Sequence, residues 1–329
     1  MNGTPALLIG LPVHNGERFL AETLESLLVQ TVEDWRLIAA DNASTDGTGE
    51  ILERYAARDG RIRYFRHAVN IGAANNFRFL LDQADTPYFM WAAADDHWEP
   101  NFIQTCLDQL RAHPRRGMAF TGLDNTDSCG RPIRQYPDIP GLAGKACFRT
   151  IRRYLLSPEA LGKANLIYSI YRTPVCRRAM EKSPMPNVWG SDMAFVLTAL
   201  AEAGIAIQPQ VLFHKRLVLE SGDSLCQEGP SPYRLLELSC PLERFPEYAA
   251  SLLCGLAWTP YYPMARLELW RRMRLLHRLD DMRRGLPSRQ VRALRHLRWF
   301  FTGRTPSLGD LPSFSGTSPP VMGKRKGAP

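Results

Sequence analysis

The sequence predicts an α/β chain: a mostly parallel sheet with helices on its flanks, followed by a C-terminal α-helical segment. Three observations carry this. Short apolar runs alternate with helical stripes in units of about thirty residues, the pattern of βα repeats. The runs lead into polar residues, Asn15, Asp41, Asn42, Asp95 and Asp96, and a parallel sheet gathers such residues at one edge, where ligands bind. Beyond residue 230 the strand pattern stops, and apolar residues recur at helical spacing among arginines.

Each element has its own signal. Ala6 to Leu11 is an apolar strand bounded by Pro12. Glu17 to Gln30 carries Leu20, Leu24, Leu27 and Leu28, the stripe of an amphipathic helix. Trp35 to Ala40 is a second strand, running into Asp41-Asn42-Ala43-Ser44-Thr45-Asp46-Gly47-Thr48, a turn rich in capping residues. Ile51, Leu52 and Tyr55 then share one helix face. Ile62 to Arg66 is a third strand, Asn70-Ile71-Gly72 a turn, and Phe77, Leu80, Leu81 and Ala84 mark a third helix. Tyr88 to Ala94 is a fourth strand, with a helix starting near Pro100. Gly117 to Gly122 and Leu166 to Tyr171 read as further strands, with a turn over 124–132 and a helix around Val175 to Met180. Trp189-Gly190-Ser191-Asp192 opens an apolar helix, Met193 to Ala203, that ends at Gly204.

The adjacent carboxylates Asp95 and Asp96 end the fourth strand. Two such groups repel each other unless a cation sits between them and an anion, and a hard divalent ion does this with oxygen ligands from carboxylate, water and phosphate. The alternative, that both acids only cap the next helix, is disfavoured by the buried strand before them. No Gly-x-Gly-x-x-Gly follows the first strand, which reads GLPVHNGE, and no Gly-x-x-x-x-Gly-Lys-Ser/Thr occurs. A nucleotide diphosphate bound here must therefore be held mainly by a metal. Helix capping is the competing reading for Asn15, Ser44 and Asp192.

Composition narrows the class. With 45% hydrophobic residues in 329, the chain can bury a substantial core. No run reaches the roughly 18 apolar residues of a spanning helix, and the N-terminus lacks the charged start of a signal peptide. Seven scattered Cys without a Cys-x-x-Cys pair fit reduced thiols in a cytoplasmic protein, without a disulfide framework or zinc site. The net charge of +8 is uneven. Residues 260–304 hold twelve Arg against Glu268, Asp280 and Asp281, a net +9, and residues 1–259 are net negative. That distribution argues against nucleic-acid recognition by the main domain. Leu267, Trp270, Met273 and Leu276 among arginines, and a second run over Val291 to Phe301, are basic and amphipathic. They either pack on the domain, touch an anionic membrane surface through 260–302, or support homo-oligomerisation. Residues 303–329, rich in Pro, Gly and Ser, read as a disordered tail.

The order PVHN (12–15), ADNASTDGT (40–48), Asn70-x-Gly72 and AADDHWEP (93–100), with a helix ending near Gln30-Thr31, resembles glycosyltransferase family 2 with the GT-A fold over roughly residues 6–200. The resemblance implies an inverting transferase that moves sugar from a nucleotide-diphosphate donor, a UDP-sugar foremost, to a hydroxyl of a carbohydrate or lipid-linked acceptor. It implies that Pro12, His14, Asn15, Asp41 and Asn42 hold base and ribose, with Asn70 and Gly72 in the next loop. Asp95 lies toward the ribose and Asp96 binds Mn²⁺ or Mg²⁺ at the diphosphate. Asp192 is the catalytic base, standing after Ser191 where the family commonly has a first acid. Arg216 fits a basic residue near the donor phosphates, and His214 stands before it. The missing Gln-x-x-Arg-Trp signature of processive synthases points to transfer of a single sugar. The expected organisation is a GT-A domain over 1–225, with donor half 1–100 and acceptor half 101–225, then a basic helical region over 226–302 and the tail. A cytoplasmic enzyme, peripheral on the inner face of the membrane, in bacterial polysaccharide or glycolipid synthesis fits these features. A nucleotidyltransferase is a weaker alternative, since PVHNGER is not a Gly-rich, Lys/Arg-bearing loop. A non-catalytic nucleotide-sugar-binding module is disfavoured by the intact Asp95, Asp96 and Asp192.

Overall fold

Apolar strands buried on both faces build the centre. In the computed structural model, which describes residues 5–136, 139–217, 235 and 238–284, the first strand β1 (Leu7–Val13) is flanked by β2 (Trp35–Asp41) and β4 (Tyr88–Trp91), both parallel to it, and β3 (Ile62–Arg66) pairs parallel with β2. Leu7, Leu8, Ile9 and Leu11 are fully buried, as a sheet covered on both faces requires. Three helices make the crossovers, α1 (Glu17–Leu28), α2 (Thr48–Arg58) and α3 (Ala73–Asp82), each with its apolar stripe turned inward.

The sheet then continues with strands from later in the chain. β5 (His97–Trp98) is short, and after α4 (Phe102–Ala112) come β6 (Met118–Thr126) and β7 (Pro132–Gln135). Helix α5 (Phe148–Leu156) and two 3₁₀ turns lead to β8 (Ile170–Arg172), followed by α6 (Thr173–Lys182), α7 (Ser191–Ala203) and β9 (Ile205–Arg216). Among the described residues the sheet order is β3-β2-β1-β4-β8-β6-β9-β5, with β7 on β6. β6 and β9 pair in parallel, and β8 is inserted antiparallel between β4 and β6. Six strands thus run one way, the mostly parallel sheet expected.

Two expected strands are shorter than the apolar runs implied. The fourth stops at Trp91, and residues 92–96 form the turn that carries the acids. Leu166 to Tyr168 belongs to a 3₁₀ turn and only Ile170–Arg172 enters the sheet. Hydrophobicity marks burial in both places, and only backbone pairing makes a strand.

The C-terminal part is helical, α8 (Phe245–Gly255) and α9 (Tyr262–Arg283). Of the expected stripe Leu267, Trp270, Met273 and Leu276, only Met273 and Leu276 are buried, and Leu269, Glu268 and Arg272 share that buried face of α9. Arg272 turns inward because Glu159 waits there. Its Nη1 donates to Glu159 Oε1 at 2.8 Å and to the Leu155 carbonyl at 2.9 Å, and its Nη2 donates to Glu159 Oε2 and, at 3.0 Å, to Ser239 Oγ. Lys163, also buried, holds the same carboxylate at 2.9 Å. The loop over 218–224, the basic run Val291 to Phe301 and the tail 303–329 lie outside the described residues. None of the described helices is long and apolar enough to cross a membrane.

Candidate active site

The ends of β1 and β2 are tied to each other. Asn15 adopts φ 53°, a left-handed conformation that Asn tolerates better than other non-glycine residues. Its N–H donates to Ser44 Oγ at 2.9 Å and its Oδ1 accepts from the Thr45 N–H at 2.8 Å. Asn15 and Ser44 therefore link two strand-end loops instead of capping helices. Asp41 is fully buried, its Oδ1 accepting from the Ser44 N–H at 2.8 Å and its Oδ2 facing Arg66 at 2.5 Å. Asn42 Oδ1 accepts from the Ile71 N–H at 2.8 Å, and its Nδ2 donates to Asn70 Oδ1 at 2.9 Å. That Asn70 oxygen also accepts from the Gly72 N–H at 2.8 Å, where φ of 84° suits glycine. Asn42, Asn70 and Gly72 are thus tied together beyond the end of β2, where Asp41 holds the Ser44 turn.

The cleft has a volume of about 410 Å³, and its lining includes Pro12, His14, Asn15, Arg18, Asp95 and Tyr168. The two acids part company here. Asp95 faces the cleft, its side chain 41% exposed. Asp96 has no exposed surface. Its oxygens lie 3.0 and 3.1 Å from Lys215 Nζ, and Oδ1 also accepts from the Arg216 N–H at 3.0 Å. Asp96, expected at the metal, is a buried anchor for the end of β9. Burial pushes its carboxyl up to about 7, with Lys215 and the Arg216 N–H opposing. The nearby anionic side chains outweigh burial at Lys215 and hold its ammonium above the ordinary lysine range.

Arg216, expected near donor phosphates, is likewise consumed by structure. It donates to the Asp95 carbonyl at 3.0 Å, the Ser128 carbonyl at 3.1 Å and Glu22 at 2.5 Å, and lies over the Phe19 ring. The cation nearest the acid pair is Lys215, 3.5 Å from Asp95 Oδ1. Sequence reasoning passed over it. The usable signal was the alternation of a strand through residue 216, which puts residue 215 on the opposite face from 214 and 216.

Asp192 stands in the first turn of α7, its Oδ1 accepting from the Met193 N–H at 2.8 Å. Burial raises its carboxyl above the ordinary range against the pull of those backbone groups and Lys163. Tyr168 lines the cleft. The buried hydroxyl of Tyr168 is raised first by burial, then by Asp96, Asp95 and Asp192, with Lys215 opposing. The charges of Asp192 and of the acid pair thus all bear on the same tyrosine. His214 points elsewhere: Nδ1 meets Asp124 Oδ1 at 2.6 Å and Nε2 meets Glu99 Oε1 at 3.1 Å. His97 is half-buried beside it, ring centroids 5.8 Å apart.

Among the described residues no group of three metal-ligating side chains forms. The donor set still suits a divalent ion of the magnesium type, which takes one or two carboxylates and completes its shell with water and substrate phosphates. Asp95 is the carboxylate with access to such an ion.

A mostly parallel sheet with flanking helices and a cleft at its strand ends, with carboxylates after β4 and at a helix start in the second half, is a fold of the GT-A class. Residues 8–169 match the profile of Glycosyl transferase family 2, and this stretch of the chain belongs to that family. EpsE of Bacillus subtilis, provisionally named a glycosyltransferase, is 33% identical over 187 residues, 56% of this chain and 64% of EpsE. TuaG of the same organism, provisionally named a teichuronic acid biosynthesis glycosyltransferase, is 28% identical over 139 residues, 42% of this chain and 55% of TuaG. The chain thus spans about three fifths of these relatives. The crystal structure of S. aureus TarS 1–349 in complex with UDP-GlcNAc superposes with a TM-score of 0.55 at 16% identity, covering 86% of this chain and 93% of that one. That likeness is one of fold.

Proposed function

We propose that the chain is an inverting glycosyltransferase that moves a single sugar from a nucleotide-diphosphate sugar to an acceptor hydroxyl. The observation that carries this is the cleft at the ends of β1 and β4, with Asp95 and Tyr168 on its lining. Residues 1–100 serve the donor, and the acceptor, a carbohydrate or lipid-linked glycan, meets the half over 101–225. A UDP-sugar is the favoured donor, supported by the UDP-GlcNAc held by TarS. The names of EpsE and TuaG support a place in bacterial polysaccharide or glycolipid synthesis.

Pro12, His14 and Asn15 line the floor where base and ribose lie, backed by Asp41, Asn42, Asn70 and Gly72. Asp95 is turned to the ribose and diphosphate. A bound Mn²⁺ or Mg²⁺, held by Asp95 and the diphosphate oxygens, would offset charge on the leaving group. Asp192 accepts the proton of the acceptor hydroxyl as its oxygen attacks C1 of the sugar. The bond from C1 to the acceptor oxygen forms, the bond from C1 to the phosphate oxygen breaks, and the nucleoside diphosphate departs. Burial makes Asp192 a stronger base than a solvated carboxylate.

A thermal-shift screen of nucleoside diphosphates and nucleotide sugars, with and without Mn²⁺, tests the reading. A ligand bound only by the native state raises the Tm by mass action. No rise with any nucleotide in either condition would remove the proposal.

A further inference from the structure

For the basic stretch 260–302 the sequence leaves packing on the domain, a membrane contact and self-association open. The described part of that stretch turns much of itself inward: Arg272 is buried on Glu159, and Leu269, Met273 and Leu276 are in the core. A different face carries exposed apolar and basic groups together. Trp258, between α8 and α9, is fully exposed and held at φ 66°. A bulky residue rarely adopts that conformation, and such strain gathers at functional surfaces. Three residues on, the Tyr261 ring packs edge-on against Phe148 at 5.2 Å, so this connection lies beside the start of α5.

The outer face of α5 is Phe148, Arg149, Arg152, Arg153 and Leu156, all exposed, while Ile151, Tyr154 and Leu155 are buried. The spacing is that of one helix side. Arg149, Arg152, Arg153 and Leu156 line a groove of about 630 Å³. Arg152 is paired with Glu268 and Arg153 donates to the Gly141 carbonyl. Among the described residues the Arg149 guanidinium makes no hydrogen bond or ion pair. An exposed indole and a phenyl ring beside arginines are the groups that enter a headgroup layer: the rings sit at the acyl boundary and guanidinium binds phosphate.

We propose that Trp258 and the outer face of α5 form a docking surface for an anionic lipid bilayer. The surface stands apart from the cleft. It goes beyond the transferase reading and does not depend on it, because the test uses no donor.

The experiment is co-sedimentation of the full chain with vesicles of phosphatidylcholine, with and without phosphatidylglycerol. Binding is expected with phosphatidylglycerol at low salt, weakening as salt rises. Trp258→Ser and Arg149→Glu should each lower partitioning by roughly tenfold or more, with the Tm unchanged since both side chains are exposed. Arg278→Glu, on the exposed side of α9, should reduce it several-fold less. Failure of the wild type to bind would overturn the proposal. So would equal binding by the variants, which would move the contact to other residues. Loss of vesicle binding in equimolar inorganic phosphate, with Trp258→Ser behaving as wild type, would assign the groove to free phosphate and also reject the bilayer. Capture of a protein partner by this face without vesicle binding counts against it equally.

Discussion

Replacing Arg272 with Met tests whether the C-terminal helix is part of the folded body. Arg272 is 5% exposed and shares the Glu159 carboxylate with Lys163. Glu159 also accepts from the Cys240 N–H at 3.0 Å and the Tyr248 hydroxyl at 3.2 Å. Burial works to raise Glu159, yet Lys163 and Arg272 outweigh it and the net shift is downward. Removing one member of a buried ion pair costs about 3–5 kcal/mol, because a desolvated charge is left behind. Here Lys163 remains opposite Glu159, so the lower end applies, about 3 kcal/mol. Methionine fills the volume but leaves the Leu155 carbonyl and Ser239 hydroxyl without that guanidinium. At roughly 2–4 °C per kcal/mol for a body of this size, the Tm should fall by about 6–12 °C. Urea unfolding at pH 7 should show the same loss, with Arg272→Lys intermediate. A change below about 1 kcal/mol would refute the reasoning and return α9 to the status of a loosely attached basic helix.

Two further outcomes follow from the site. Asp192→Asn keeps the size and the contact with the Met193 N–H but cannot take a proton, so kcat should fall by about 10²–10⁴-fold with donor affinity retained. Because burial raises the Asp192 carboxyl, the neutral variant should melt at or above the wild-type temperature. Wild-type kcat should fall on the acid side at a higher pH than an ordinary carboxylate would give, and an unchanged turnover in the variant would clear Asp192 of the role. His214 is raised by its bond to Asp124, against desolvation, with Glu99 adding to the rise. Its contribution to stability is therefore complete below the ordinary histidine pKa and is lost as pH rises through the raised value. The His214→Gln variant should flatten that decline in urea unfolding across neutral pH, and an identical pH profile would reject the assignment.

Much of the first half of the chain was legible because its signals are local. β1 to β4 and their three helices announce themselves by period, and Asn15, Asp41, Asn42, Asn70 and Asp95 follow strands in sequence as they do in space. What escaped depends on contacts across the chain. Asp95 and Asp96 are neighbours, but backbone direction sends one to the cleft and the other under β9, whose Lys215 lies 119 residues away. Arg272 looked like one more solvated arginine because Glu159 is 113 residues distant. Arg216 matched the expectation of a cleft cation by position, and its partners, Glu22 and the carbonyls of Asp95 and Ser128, come from three other segments. Strand β8 was blurred because only three residues pair, inserted antiparallel between β4 and β6.

The central claim is that the cleft beside Asp95 receives the nucleotide diphosphate of a sugar donor. Its most direct measurement is a calorimetric titration of UDP, in Mn²⁺, into the wild type and Asp95→Ala. Asp95 is half-exposed and anchors no core group through its carboxylate except the 3.5 Å approach of Lys215, so the variant should fold normally. Loss of a charge-assisted contact predicts affinity weaker by roughly 10–100-fold. Wild-type binding that survives unchanged in Asp95→Ala would place the nucleotide elsewhere and contradict the account.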